Sequence, residues 1–318
     1  RWYAKSRTSD EAAAMNLSFG RHTVETSNDD KVLFPGDGIT KADVIGYYAD
    51  VAELMLPHLK ERCLTLQRFP DGLGKSGFFQ QKRSDHFPDY VDRRSLPTAG
   101  GDERVEHVVA NNAAALVYLA DQAAISFHGW LATADAPRHP DRVVFDLDPS
   151  GDDFGPVIDC ARLLREALDA IGLVPYVMTT GSSGLHVIAP LDGKRNFDEV
   201  RDFAKAVAAA VAAREPGRFT TEQRKAARRG RLYIDIGRNA YGQTAVLPYS
   251  VRAIEGAPVA TPLDWNELGR KGLSPRRYHL RNLRRRLARK NDPFADLFAH
   301  KRRSPSDAVA LQGWQDND

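Results

Sequence analysis

Cysteine is scarce in this chain: Cys63 and Cys160 are the only two among 318 residues, with no CxxC pair and no cysteine-histidine cluster. That excludes a disulfide framework and a structural zinc site, and it fits a reducing compartment such as the cytosol. No apolar run is long enough to span a bilayer. The opening stretch "RWYAKSRTSDEAAAMNLS" lacks the apolar core of a secretory leader, and its first residue is not methionine, as in a trimmed chain. Internal repeats and low-complexity segments are also missing.

What is present fits a globular protein: 42% hydrophobic and 27% charged residues, in a length that suffices for one large domain or two lobes. The net charge is only +3, but it is unevenly spread. Residues 276–290, "RRYHLRNLRRRLARK", contain no acid, and "RKAARRGR" at 224–231 is a second basic run. A single such run is usually a solvated helix face; two in one chain raise the prospect of a polyanionic partner.

The pattern predicts a polar N-terminal arm over 1–27, irregular and loosely docked to about residue 30. A helix starts after Thr40, with Asp43 at the capping-box position and Val44, Tyr48, Val51 and Met55 at helical spacing. "CLTLQRFPDG" and "SGFFQQK" read as paired strands. "AALVYLADQAAISFHGW" reads as part helix, part strand. A helix with Val157, Cys160, Leu164 and Leu168 on one stripe follows residue 150. "VPYVMTTGSSGLHVIAPL" reads as strand, turn and strand, and an alanine-rich helix ends at Pro216. "RLYIDIGRN" alternates as a half-buried strand, "TAVLPYSVRA" reads as another, and "TPLDWNEL" opens a short helix. Ser274-Pro275 predicts the start of a basic helix over 275–290, with Leu280, Leu283 and Leu287 as its apolar stripe. The tail, 296–318, is polar. The fold class expected is mixed α/β (α+β) in two lobes, the first over about 28–125 and a catalytic sheet over about 126–268.

The chemistry starts at "VVFDLDPS". Asp146 and Asp148 lie two apart in a strand and so share a face, which is costly unless a cation sits between them. Asp235 points outward from a later strand, and His186 and Arg252 lie in further strands behind polar turns. Carboxylates from two strands can hold hard divalent cations such as Mg²⁺ or Mn²⁺, and histidine and arginine can bind phosphate. Taken singly, each of these residues has a blander reading: a solvated acid, a hydrogen-bonded histidine, a surface ion pair.

Together they become recognisable. The ordered set "VLFPGDGITKADVIGYY", "QRFPDG", "FFQQK", "ISFHGW", "RVVFDLDPS", "GLHVIAPL", "YIDIGRNAYGQTAVLPYSVRA" and "GAPVATPLDWNEL" resembles the polymerase domain of bacterial DNA ligase D, in the archaeo-eukaryotic primase superfamily. The resemblance runs from about Asn28 to Leu268. It implies a two-lobed primase-like fold and template-directed addition of ribo- or deoxyribonucleotides to a DNA primer with two divalent cations, Mn²⁺ or Mg²⁺. It further implies the filling of short gaps or breaks that bear a 5′-phosphate, in a bacterial, nucleoid-associated setting.

Residue by residue, the resemblance makes Asp146, Asp148 and Asp235 the metal ligands. His186 and Arg252 become contacts to the incoming triphosphate, with Thr180 and Ser182 as further donors. Arg68, Lys82 and His128 match active-site positions. Phe78 and Phe79 match an aromatic pair that stacks on template bases; their blander reading is core packing, with one of the two partly buried. Asn28, Lys31 and Lys41 match a 5′-phosphate pocket, although alone the lysines would pass for ordinary surface residues. A Ku-type end-binding protein and a DNA ligase are the partners implied.

The turn "MTTGSSGLH" departs from the family's usual Lys-Thr-Ser-Gly-Gly-Lys-Gly-Leu-His: Met178 and Ser183 replace lysines, and Thr180 replaces a serine. No ligase or nuclease module follows the basic helix in this sequence, as in a piece cut from a longer protein or in a stand-alone relative; the altered turn and the N-terminal extension favour the stand-alone reading. De novo priming uses the same residues and stays open. Two other classes remain: a non-catalytic module that bridges DNA ends, and a haloacid-dehalogenase-type phosphatase built on "FDLDPS".

Overall fold

The structure, a computed structural model, describes residues 14–98, 100–101, 103–151, 153–302 and 314. It is mixed α/β, and its contacts divide the chain into two units. One holds the described residues up to Trp130 together with Val246–Val259 and His279–Arg286. The other holds Leu131–Ala245, Ala260–Tyr278 and the residues from Leu287 onward. No helix among the described residues is long and apolar enough to cross a membrane.

In the first unit the Lys41–Leu59 helix begins where the sequence predicts. Thr40 accepts from the Asp43 backbone and Asp43 accepts from the Thr40 backbone, a reciprocal cap contributing about 1 kcal/mol. Val44, Tyr48, Val51 and Met55 are buried on one face. The Leu64–Arg68 strand pairs antiparallel with Phe78–Gln80 on one side and Ala124–Trp130 on the other. The Ala113–Asp121 helix precedes that last strand, so the predicted helix-then-strand division of this apolar stretch is present. Cys63 is buried, and burial pushes its thiol up to about 12.

The second unit is built on a six-stranded sheet. Its order is Phe219–Thr220, Leu232–Asp235, Arg142–Asp148, Leu185–Pro190, Tyr176–Thr179 and Pro262–Leu263, and only the first pair is parallel. Val143, Phe145 and Leu147 point to one face, where they pack with Leu185, Val187 and Ile234 against the Gly155–Ala170 and Phe197–Arg214 helices. Val157, Cys160, Leu164 and Leu168 form the inner stripe of the first of these helices, as their spacing predicts. With the odd-numbered residues of the Arg142–Asp148 strand committed to the core, Asp146 and Asp148 go to the opposite face.

Three predicted elements differ. The N-terminal arm is not irregular throughout: Asn16–Phe19 and His22–Glu25 pair as a hairpin, with Leu17 and Val24 buried. Its polar appearance comes from the outward half of the alternation. The first 13 residues and most of the tail lie outside the described residues, although Trp314 is buried. The basic helix spans Leu280–Leu287 rather than starting at Pro275, because the chain before it is drawn into other bonds. His279 bridges Pro258 and the Leu280 amide donates to the Ala257 carbonyl. The strand in "TAVLPYSVRA" stops at Val246, and Tyr249 adopts a left-handed backbone, φ 68°.

One side chain extends the sheet. Asn239, with no exposed surface, accepts from the Val144 amide (2.9 Å) and donates to the Val144 carbonyl (2.7 Å) and the Ile236 carbonyl (2.9 Å). Its carboxamide thus acts as one more rung beside Val144, past the Asp146–Asp235 pair. Asn239→Ala leaves both Val144 groups unpaired and is expected to cost roughly 2–3 kcal/mol. Asn239→Asp, which keeps the acceptor but loses the donors, should cost at least as much. Urea unfolding checks this; a midpoint unchanged in both variants contradicts it.

Candidate active site

The Asp146 strand lies between the strands of Asp235 and His186, and Asp146 stands directly opposite both residues in register. Asp148 stands opposite Tyr233. Antiparallel register therefore gathers Asp146, Asp148, Asp235 and His186 on one face, with Cα atoms of opposed residues about 4.5–5.5 Å apart. The Arg142–Asp148 strand ends at Asp148, just before Pro149, as the proline requires.

Each carboxylate is engaged by a protein donor. Asp146 is buried, its Oδ1 lying 3.4 Å from His186 Nε2 and its Oδ2 3.4 Å from Arg238 Nε. Asp148 accepts a 2.6 Å bond from the Ser183 hydroxyl. Asp235 Oδ1 accepts from the Gly237 amide at 2.7 Å and the Tyr233 hydroxyl at 3.4 Å. Burial acts to raise the Asp146 carboxyl, but His186 and Arg238 outweigh it and hold Asp146 below the ordinary carboxylate range. Asp148 is pushed the other way, by burial and by the charge of Asp146, with Ser183 opposing.

As the side chains stand, no three His, Cys, Asp or Glu among the described residues are gathered to hold one ion. The donor set nevertheless fits a hard divalent cation: Asp146 and Asp235 stand opposite each other with Asp148 two residues on, and each carboxylate is held by one or two donors that a cation can replace. The Nδ1 of His186 is buried and finds no hydrogen-bond partner.

The turn before His186 is fixed by close approach. A Cβ on Gly184 would lie 1.8 Å from the Leu147 carbonyl oxygen, so no larger residue fits. Thr180 is buried, and its hydroxyl accepts from the Ser182 and Gly184 amides at 3.3 and 3.1 Å. It thus shapes the turn. Ser182 is half-buried, and its carbonyl accepts from Arg276 Nε. Met178, opposite His186, is fully buried.

The remaining candidates belong to the other unit. Arg252 is half-buried, its amide bonded to the Pro258 carbonyl. His128 is half-buried opposite Thr65, and Lys82 is exposed in a bridge to His107. Arg68 donates at 2.7 Å to the Gln122 carbonyl and to Gln80 Oε1, and its guanidinium lies 5.4 Å from the Phe78 ring centre. Phe78 and Phe79 are 47% and 65% exposed, so neither is packed in the core. Their strand is the sheet's edge, and as successive residues in it the two rings point to opposite faces.

Asn28, Lys31 and Lys41 are brought together through the backbone. The Lys31 amide donates to the Asn28 carbonyl and the Lys41 amide to the Lys31 carbonyl, and Asn28 has φ 49°. Lys31 is half-exposed, 3.2 Å from Asp71. Lys41 is not the surface lysine its sequence context suggests: it is buried, 2.7 Å from the buried Asp121, and it also donates to the Ser27 carbonyl.

Arg238, Ser183 and Asn239 escape the sequence reading. Asn239 and Arg238 follow Asp235 within "DIGRN", and that closeness was the available signal. Ser183 looks like the loss of a cation when set against the family's turn, whereas it holds Asp148.

Residues 40–294 match the model of the LigD primase-polymerase domain. A bifunctional non-homologous end joining protein LigD from Bacillus subtilis is 33% identical over 285 residues, 89% of this chain and 45% of that protein. A multifunctional non-homologous end joining DNA repair protein LigD from Mycobacterium tuberculosis is 33% identical over 304 residues, 90% of this chain and 40% of that protein. The chain therefore spans less than half the length of these curated relatives. Among solved structures, the polymerase domain from Mycobacterium tuberculosis ligase D in complex with DNA superposes with a TM-score of 0.81 at 32% identity, over 87% of this chain and 99% of that one.

Two outcomes follow from this geometry. Gly184→Ala should lower stability by about 3 kcal/mol, because backbone meets backbone, and calorimetry should show the drop. Lys41→Met should cost about 3–5 kcal/mol by leaving Asp121 buried without its cation, with part of the loss recovered in the double variant Lys41→Met/Asp121→Leu. Additive losses in thermal unfolding would contradict the pairing.

Proposed function

Because the chain belongs to the LigD primase-polymerase family, we propose that it is a DNA-dependent nucleotidyltransferase. It adds ribo- or deoxyribonucleotides to a primer 3′ end at the face that carries Asp146, Asp148 and Asp235. The observation that carries this reading is the register of Asp146 opposite both Asp235 and His186, with Asp148 two residues further on. Mg²⁺ or Mn²⁺ held by the three carboxylates would activate the attacking hydroxyl and offset charge on the leaving pyrophosphate.

The protein's own groups do the positioning. His186 has one nitrogen toward Asp146, which fixes its ring, and its unpartnered Nδ1 is the nitrogen left for a phosphate oxygen. Arg252, Arg68, Lys82 and His128 are assigned to nucleotide binding. Thr180 and Ser182 contribute through the shape of their turn. Phe78 and Phe79, exposed on an edge strand, suit stacking on template bases, which tolerates any sequence. Lys31 and Asn28 form the 5′-phosphate contact. The buried Lys41 supports that contact from beneath through the Lys31 carbonyl.

The domain that superposes here was solved in complex with DNA, and the relatives are named for non-homologous end joining. Gapped or broken DNA with a 5′-phosphate is accordingly the substrate we assign, with a Ku-type protein and a DNA ligase as partners. The test is primer extension with Mn²⁺ on a gapped duplex with or without the 5′-phosphate, and on bare template. Asp146→Ala and Asp148→Ala should each lower incorporation at least a hundredfold, and Lys31→Ala should remove the preference for the phosphate. Undiminished extension by both aspartate variants would sink the assignment, and incorporation on bare template alone would make the protein a primase.

A further inference from the structure

Arg238 has no place in the assignment above, yet it sets a permanently charged guanidinium beside Asp146. Its guanidinium lies 3.4 Å from Asp146 Oδ2. It stands between two fixed points. On one side the Gly237 amide is bonded to Asp235. On the other, Asn239 is clamped to Val144 on the Asp146 strand itself. The backbone on both sides of Arg238 is thus tied to the two strands that carry the carboxylates. The guanidinium is 43% exposed, while Asp146 is 9% exposed, so the arginine has room to leave and the aspartate does not.

We propose that Arg238 is the resident counter-ion of Asp146, held in place by the Asn239 clamp, and that it competes with a divalent cation for that carboxylate. The inference rests on Asp146 being a metal ligand. Asp146 and its neighbours would otherwise bring like charges face to face, and a guanidinium offsets this without filling the site. A cation that approaches Oδ2 of Asp146 must displace the guanidinium, while Oδ1 faces His186. Arg238 therefore raises the metal concentration at which the site loads, and once displaced it leaves a positive charge at the mouth. Ser183 on Asp148 and the Gly237 amide on Asp235 are uncharged competitors of lesser strength.

The test is Mn²⁺ binding to the full chain without nucleotide or DNA, by calorimetry and by electron paramagnetic resonance of free Mn²⁺. Arg238→Gln should bind Mn²⁺ about three- to tenfold more tightly than the parent, the range a partly exposed ion pair supports. Arg238→Lys should stay near the parent. A purely structural role gives the opposite sign, since damage to the loop weakens binding. Unchanged or weaker Mn²⁺ binding by Arg238→Gln, in a variant that melts at the parent temperature, overturns the proposal. Asp146→Asn separates the two failures: if it loses Mn²⁺ and Arg238→Gln gains nothing, the competition alone is wrong. If Asp146→Asn still binds Mn²⁺ as the parent does, the metal assignment falls and the competition with it.

Discussion

Two carboxylates cannot face each other across a buried sheet without something positive between them. In this protein the constraint falls on Asp146, which stands opposite Asp235 and two residues before Asp148. The surrounding groups answer it one by one: His186 and Arg238 on Asp146, Ser183 on Asp148, the Gly237 amide on Asp235. The rest of the unit serves to hold these partners. The hydrophobic face of the sheet fixes which residues look outward. Gly184 lets the His186 turn approach the end of the Asp146 strand, and Asn239 ties the loop after Asp235 to the same strand.

The electrostatics divide the two neighbouring acids. Asp146, buried beside a histidine and an arginine, is driven toward ionisation, while Asp148 is driven away from it by burial and by Asp146. A carboxylate held ionised in a buried place is a high-affinity point for any cation that can displace its partner. The proposed polymerase chemistry and the proposed role of Arg238 both start from the placement of Asp146, opposite Asp235 and His186 and beside Arg238.

Much of this was legible in the sequence. The Thr40–Asp43 cap, the two helices on the six-stranded sheet and the alternation around Asp235 are local patterns, and local patterns survive folding when tertiary contacts agree with them. The common face of Asp146 and Asp148 follows from the period of a strand. What could not be read depends on contacts between distant residues. The burial of Lys41 depends on Asp121, 80 positions away. The start of the basic helix depends on Ala257 and Pro258. The partnership of Ser183 with Asp148, and that of Arg238 with Asp146, exist only once three strands are aligned. The hairpin at Asn16–Glu25 was missed because only Leu17 and Val24 of its eight strand residues are buried.

The central claim is that this carboxylate face is a divalent-cation site whose protein partners give way to metal. Anomalous diffraction at the manganese edge from crystals grown with Mn²⁺ tests it most directly. The account predicts a peak coordinated by Asp146 together with Asp148 or Asp235, with the Arg238 guanidinium moved off Asp146. Manganese bound elsewhere, or bound at Asp146 with Arg238 still in contact, would contradict it.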